Sequence, residues 1–168
     1  MPVTHKLIQT ITVGAGGAAS VQFTSIPGTY TDLVLVSSLR STSTSNDLAM
    51  TLAFNGSTSN FTSAYLYGNP PGGTAVSGSN AYYHGNVNGA GSTASVFTST
   101  SLYIPNYAGS TNKSYSVDNT MEHSSTTSYP FLVAGLWSVT SAITSITITN
   151  ASNFAQYSSA SLYGISKS

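Results

Sequence analysis

The carboxylates are the residues of this chain with the most obvious capacity for chemistry. They are Asp32, Asp47, Asp118 and Glu122. Asp118 and Glu122 are four residues apart and share one face of a strand, and a carboxylate pair is the acid and base of glycoside hydrolysis. His123 points to the opposite face, and the neighbouring run 124–127 is Ser/Thr only, as in a solvated edge strand. We therefore favour an exposed polar cluster and expect no catalytic residue and no enzyme.

Histidine, cysteine and serine offer no arrangement for metal binding or nucleophilic catalysis. The histidines are His5, His84 and His123. They are far apart in sequence and lack ligand-like spacing. The chain has no cysteine, which excludes disulfides and thiolate ligands. No serine lies in a Gly-x-Ser-x-Gly turn, the nucleophile elbow of α/β-hydrolases. We expect no metal and no cofactor.

Aromatic side chains with polar tips lie on either side of a Pro/Gly-rich loop, Asn69-Pro70-Pro71-Gly72-Gly73. They are Tyr65, Tyr67, Tyr82 and Tyr83, followed by His84. Such rings, flanked by Asn and Gly, can stack on sugar rings or anchor a protein contact. Ordinary cross-strand tyrosine packing is the alternative. These five residues are the candidates for an interface or a ligand contact.

Low charge limits the class of partner. Charged residues make up 5% of the chain and the formal net charge is zero, whereas soluble domains average ~25% charged residues. The cations are Lys6, Arg40, Lys113 and Lys167. They are too few to form a patch that binds phosphate backbones, so we expect no nucleic-acid partner. A neutral surface rich in Ser and Thr favours association between proteins instead.

Targeting signals are not evident. The opening residues, Met1 to Lys6, lack the apolar region of a secretory signal. No apolar run approaches the ~20 residues of a membrane helix. We therefore expect synthesis in a cytoplasm and no membrane partner.

Apolar and polar residues alternate with period two along the chain, so we expect β-strands to position these side chains. Phe131, Val133, Gly135 and Trp137 share parity, and the glycine indicates a bulge or a close backbone approach. The segment 32–36, Asp-Leu-Val-Leu-Val, is apolar on both faces, which is typical of a central strand covered on each side.

About nine to eleven short strands, regular turns and no sustained helical period predict an all-β protein. We expect an antiparallel two-sheet sandwich that is jelly-roll-like, because two sheets bury one-sided strands without a helix. The length fits a single domain spanning 1–168. Residues 1–13 form either its first strand or a docking or swapped arm.

A series of landmarks extends from residue 26 to the C-terminus. They are Ile26-Pro27-Gly28-Thr29-Tyr30-Thr31-Asp32-Leu33-Val34-Leu35-Val36 with Arg40-Ser41, Phe54-Asn55-Gly56 with Tyr65, Ile104-Pro105-Asn106-Tyr107, Trp137, Ala142-Ile143-Thr144-Ser145-Ile146, Asn153-Phe154 and Ser161-Leu162-Tyr163-Gly164-Ile165. In this order and spacing they resemble a family of tailed-bacteriophage virion proteins. The resemblance implies a β-sandwich of the head decorations, head fibres or tail-fibre tips, with no catalytic residue and no cofactor.

Within that resemblance, a short chain with no coiled-coil or collagen-like shaft favours a protein that docks directly on a shell. We expect a capsid decoration, or cement, protein on the virion surface, bound to the major capsid protein as a homotrimer at three-fold positions. The alternative is a receptor-binding tip of a tail or head fibre that recognises host-surface glycan through the tyrosines. A polysaccharide-cleaving enzyme using Glu122 is the third and weakest hypothesis.

Overall fold

The computed structural model describes residues 4–69, 74–79, 82–124 and 127–166. These residues form twelve β-strands and no helix, so none of them belongs to a helical membrane span. In chain order the strands are β1 (His5–Thr12), β2 (Ala18–Phe23), β3 (Asp32–Leu39), β4 (Asp47–Phe54), β5 (Phe61–Asn69), β6 (Thr74–Ser79), β7 (Tyr83–Asn88), β8 (Thr98–Ile104), β9 (Lys113–Ser124), β10 (Thr127–Trp137), β11 (Ile146–Phe154) and β12 (Ser159–Ile165).

The strands pair in two antiparallel sheets of unequal width. The large sheet has the order β1-β12-β3-β8-β9-β10-β5-β6, and the small sheet has the order β2-β11-β4-β7. The chain crosses repeatedly between the sheets, for example from β3 to β4 and from β10 to β11. The predicted all-β, jelly-roll-like two-sheet sandwich is confirmed, with slightly more strands than the sequence pattern indicated.

The core lies between the two sheets and follows the alternation read from the sequence. Phe131, Val133 and Trp137 are buried on the inner side of β10, while Leu132, Ala134 and Leu136 point outward. The rings of Phe54 and Phe61 pack against Trp137 with centroids 5.5 and 6.1 Å away. Apolar residues at every second position of these strands therefore form the aromatic centre of the core between the two sheets.

Strand β3 corrects one expectation. It is central in the large sheet, between β12 and β8, and Leu33 and Leu35 are buried beneath the small sheet. Its other face is not covered by the residues that the structure describes, since Val34 is only half-buried and Val36 is 41% exposed. The doubly apolar pattern thus marks a strand that the described chain covers on only one side.

The N-terminal segment forms the edge of the large sheet. Strand β1 pairs antiparallel with β12 of the same chain, with Leu7 opposite Tyr163 and Ile11 opposite Ala160. The register shifts between Leu7 and Gln9, which is a β-bulge. This is the placement that the strand alternative predicts for residues 1–13, of which residues 1–3 lie outside the described chain.

Candidate interaction surface

Two of the four carboxylates hold turns and neighbouring strands in place. The carboxylate of Asp32, at the start of β3, accepts hydrogen bonds from the Tyr103 hydroxyl at 3.0 Å and the Asn106 backbone N–H at 2.9 Å. The carboxylate of Asp47, at the start of β4, accepts one from the Asn86 side chain at 2.5 Å. Both groups therefore serve the fold locally.

Asp118 and Glu122 share one face of β9, as their spacing predicts, but they have different surroundings. Asp118 is exposed and lies opposite Leu132 of β10. One oxygen of Glu122 accepts a hydrogen bond from the Thr93 hydroxyl at 3.1 Å. The side chain of His123 lies outside the described residues. No group of three or more His, Asp or Glu suited to a metal ion occurs among the residues that the structure describes.

Three of the five aromatic-loop candidates keep some exposed surface. Tyr65 and Tyr67 are half-buried on the inner side of β5, and Tyr82 is half-buried in the turn before β7. The ring of Tyr67 stacks on Phe131 with centroids 5.0 Å apart. The ring of Tyr65 contacts that of Tyr83 at 4.9 Å. Loop residues 70–73, 80 and 81 lie outside the described chain.

The other two candidates are enclosed. Tyr83 is 5% exposed, its hydroxyl donates a hydrogen bond to the Asn86 side chain at 2.6 Å, and burial raises its pKa. His84 is fully buried, and neither ring nitrogen has a hydrogen-bond partner among the described residues. Burial lowers the pKa of His84 to about 4, so the ring is neutral at pH 7. In this structure both side chains serve packing.

Two of the cations are buried and bind backbone carbonyls. The guanidinium of Arg40 donates to the carbonyls of Thr93 at 2.9 Å and Val96 at 2.6 Å. The ammonium of Lys113 donates to the carbonyl of Gly109 at 2.7 Å and to that of Thr111. Burial lowers the pKa of Lys113. These cations fix loops, which further reduces the positive charge available to a partner.

A buried amide network, which the sequence analysis did not single out, joins β7 to the large sheet. The side chain of Asn119 on β9 donates to the Asn86 carbonyl at 3.0 Å and to the Thr100 hydroxyl at 2.7 Å. The Thr98 hydroxyl donates to the Asn88 side chain at 2.6 Å. Buried polar groups in such networks specify one arrangement of neighbouring strands. The only sequence signal was polar residues at inward-facing strand positions.

The outer face of the large sheet, meaning the side pointing away from the small sheet, carries the exposed apolar side chains. Its first group, the β1–β8 patch, comprises Leu7, Val34, Val36, Tyr103 and Tyr163. Four of these residues form one row across the sheet, because Leu7 pairs with Tyr163, Tyr163 with Val34, and Val34 with Tyr103.

The second group, the β5–β10 patch, comprises Ala64, Leu66, Leu132, Ala134 and Leu136. Strand β9 separates the two patches with a polar row, since its outward residues are Ser114, Ser116, Asp118, Thr120 and Glu122. No Lys or Arg of the described chain points outward from this sheet. The outer face is thus broad and apolar at two places, and its described charges are the carboxylates of Asp32, Asp118 and Glu122.

Comparisons with known proteins add little. No family model and no curated protein matches this chain. Among solved structures, it is similar to the galectin LEC-6 of Caenorhabditis elegans, at 11% identity over 94% of this chain and 96% of that chain. The TM-score is 0.36, so this likeness carries no argument about function.

Proposed function

We propose that this chain is a capsid decoration, or cement, protein of a tailed bacteriophage, located on the virion surface. It would stabilise the head shell through contacts with the major capsid protein. The observation that carries the proposal is β3, which is apolar on both faces although the described residues of its own chain cover only one. Val36, 41% exposed, and the neighbouring Tyr103, 38% exposed, are the side chains that a partner would cover.

The size of the β1–β8 patch fits a modest contact made by many copies. Its four strands, spaced ~4.8 Å apart and about seven residues long at ~3.3 Å per residue, give roughly 450 Å² in projection. This is about half of the ~800 Å² that a stable protein interface buries on each partner. A contact repeated over many copies on a shell stabilises the particle without a single tight site.

The low charge supports the same role. The outer face has no described Lys or Arg, and the contacts that its apolar side chains make depend on burial and shape. Such contacts lose little strength in salt, because screening acts on charges. Copies with zero formal net charge also repel one another little when they crowd on a shell.

Gold labelling of intact virions with an antibody against this protein tests the proposal. We expect label over the whole head surface, and none on particles from which the gene has been deleted. Label confined to the tail tip, or absent from the particle, would contradict a decoration role.

A glycan-binding tip is the second candidate, favoured by the partly exposed rings of Tyr65, Tyr67 and Tyr82. Aromatic faces of this kind can stack on sugar rings. Tail-tip label would support it, together with binding to host polysaccharide that Tyr67→Ala abolishes. Tyr157→Ala is the matched control, since Tyr157 is 71% exposed and does not belong to this group.

A further inference from the structure

The β5–β10 patch carries three of the seven exposed large hydrophobic side chains of the described chain. Leu132 is 55% exposed, Leu66 is 44% exposed and Leu136 is 37% exposed. Shallow depressions between the strands are lined by these leucines and by Ala64 and Ala134. Leucines on a flat sheet expose apolar area that a partner can remove from water.

The register gives the patch an internal near-symmetry. Leu132 of β10 lies directly opposite Leu66 of β5, and Ala134 lies directly opposite Ala64. Each strand therefore presents a leucine followed by an alanine at the same two levels of the sheet. Exchanging β5 with β10 leaves this pattern unchanged.

We propose that the β5–β10 patch is a self-association surface through which two copies of this chain form a two-fold dimer. The two-fold axis runs parallel to the strands. It lies between the two stacked sheets, above the gap between β5 and β10. Strand β10 then lies over the partner's β5, so that Leu132 faces the partner's Leu66 and Ala134 faces the partner's Ala64. Sheets packed face to face in this way keep their strands within about 30° of each other.

The charges are compatible with this arrangement. Asp118 is the nearest acid, one strand away from Leu132 on β9. The axis places β9 over the partner's β6, so the two copies of Asp118 are three strand spacings apart. With sheets ~10 Å apart, their separation is roughly 17 Å. That distance exceeds the Debye length of ~8 Å at physiological salt, so their repulsion is largely screened.

The contact area sets the expected strength of the dimer, and its two-fold symmetry sets the number of copies. Four overlapping strands, about 19 Å wide and 20 to 23 Å long, give roughly 400 Å² in projection. This is below the ~800 Å² per partner of a standard interface, so the dimer is reversible at micromolar concentrations. The contact is isologous and each copy covers the other's patch, so association stops at two copies. This differs from the trimer that shell symmetry led us to expect.

Sedimentation velocity of the purified chain, from about 5 to 300 μM, tests the dimer independently of any role on a virion. We expect a monomer–dimer equilibrium with a dissociation constant of tens to hundreds of micromolar. Leu132→Ser and Leu66→Ser should each weaken association at least about tenfold, since central apolar contacts dominate such interfaces. Both side chains are about half exposed in the monomer, so thermal unfolding should change much less than association.

Leu7→Ser is the matched control, because Leu7 is 52% exposed on the same outer face but beyond β9. Its dissociation constant should stay within about twofold of that of the parent chain. A monomer throughout the concentration range would overturn the proposal. So would a trimer, or a dimer that Leu7→Ser disrupts while Leu132→Ser does not.

Discussion

At the scale of single residues, Arg40 and Lys113 show how this chain uses its few charges. Each is buried, and each donates hydrogen bonds to two or more backbone carbonyls in loops at the ends of strands. A carbonyl inside a protein needs a donor, because an unpaired polar group costs about 1–3 kcal/mol. A cation with several donors satisfies several carbonyls at once.

His84 predicts how stability depends on pH. Its pKa is about 4 in the folded chain and 6.5 when unfolded. Between those values the unfolded state binds more protons, so the free energy of unfolding falls as the pH drops from 6.5 to 4. A shift of this size corresponds to roughly 3 kcal/mol at the acid end. Urea unfolding at a series of pH values measures the decline.

The variant His84→Leu isolates this effect. Because neither ring nitrogen has a partner among the described residues, an apolar side chain of similar size forfeits no hydrogen bond. We expect an equal or greater free energy of unfolding at pH 7. Between pH 6.5 and 4, this free energy should depend much less on pH than it does in the parent chain. His5→Leu, at an exposed edge position, should leave the slope unchanged. An unchanged slope in His84→Leu would show that the acid sensitivity has another source.

The sequence pattern indicates the aromatic-loop residues as contact candidates but does not predict which of them are buried. His84 follows Tyr82 and Tyr83 beside a Pro/Gly-rich loop, which is the composition of a contact surface. It is buried instead, on a strand that approaches β9 closely, since a Cβ atom on Gly85, with φ of 88°, would lie 2.7 Å from Cγ of Asn119. That approach depends on a tertiary contact between distant strands, which period and composition do not encode.

At the scale of elements, tyrosine rings lie over glycines on neighbouring strands. Gly135 of β10 lies opposite Tyr115 of β9, and Gly78 of β6 lies opposite Tyr65 of β5. A Cβ atom on Gly135 would lie 2.0 Å from Cζ of Tyr115. From the sequence we expect a bulge or a close backbone approach at Gly135, but the strand register is continuous there and the ring of Tyr115 occupies the space.

Gly135→Ala should therefore destabilise the chain by about 2–3 kcal/mol, because the core must move to accommodate the added methyl group. Gly14→Ala is the control, since no atom lies within 4 Å of the Cβ it would create. Its effect on the free energy of unfolding should stay below about 1 kcal/mol. Chemical denaturation measures both variants.

A double-mutant cycle with Tyr115→Leu identifies the ring as the cause. If the ring is the obstacle, the cost of Gly135→Ala falls substantially in the Tyr115→Leu background. Equal costs in both backgrounds would contradict this account of the glycine.

At the scale of the whole molecule, the described chain forms only two layers, so the outer face of the eight-stranded sheet has no cover among the described residues, and the proposed function rests on that face. The all-β sandwich followed from alternation, turn residues and the lack of a helical period. The unequal split of eight strands and four did not, because strand pairing is set by contacts between distant segments. Val34 and Val36 show the consequence, since their apolar pattern requires a cover that the small sheet provides only on the opposite side.

The central claim is that the outer face of the large sheet binds and stabilises a phage head. The most direct measurement is the temperature at which heads lacking this protein release their DNA, before and after the purified chain is added back. We predict that the parent chain raises this temperature and that Val36→Asp, on the outer face, does not. Thr147→Asp, on the outward side of the small sheet, should restore stability like the parent. Full restoration by Val36→Asp, or none by the parent chain, would contradict the account.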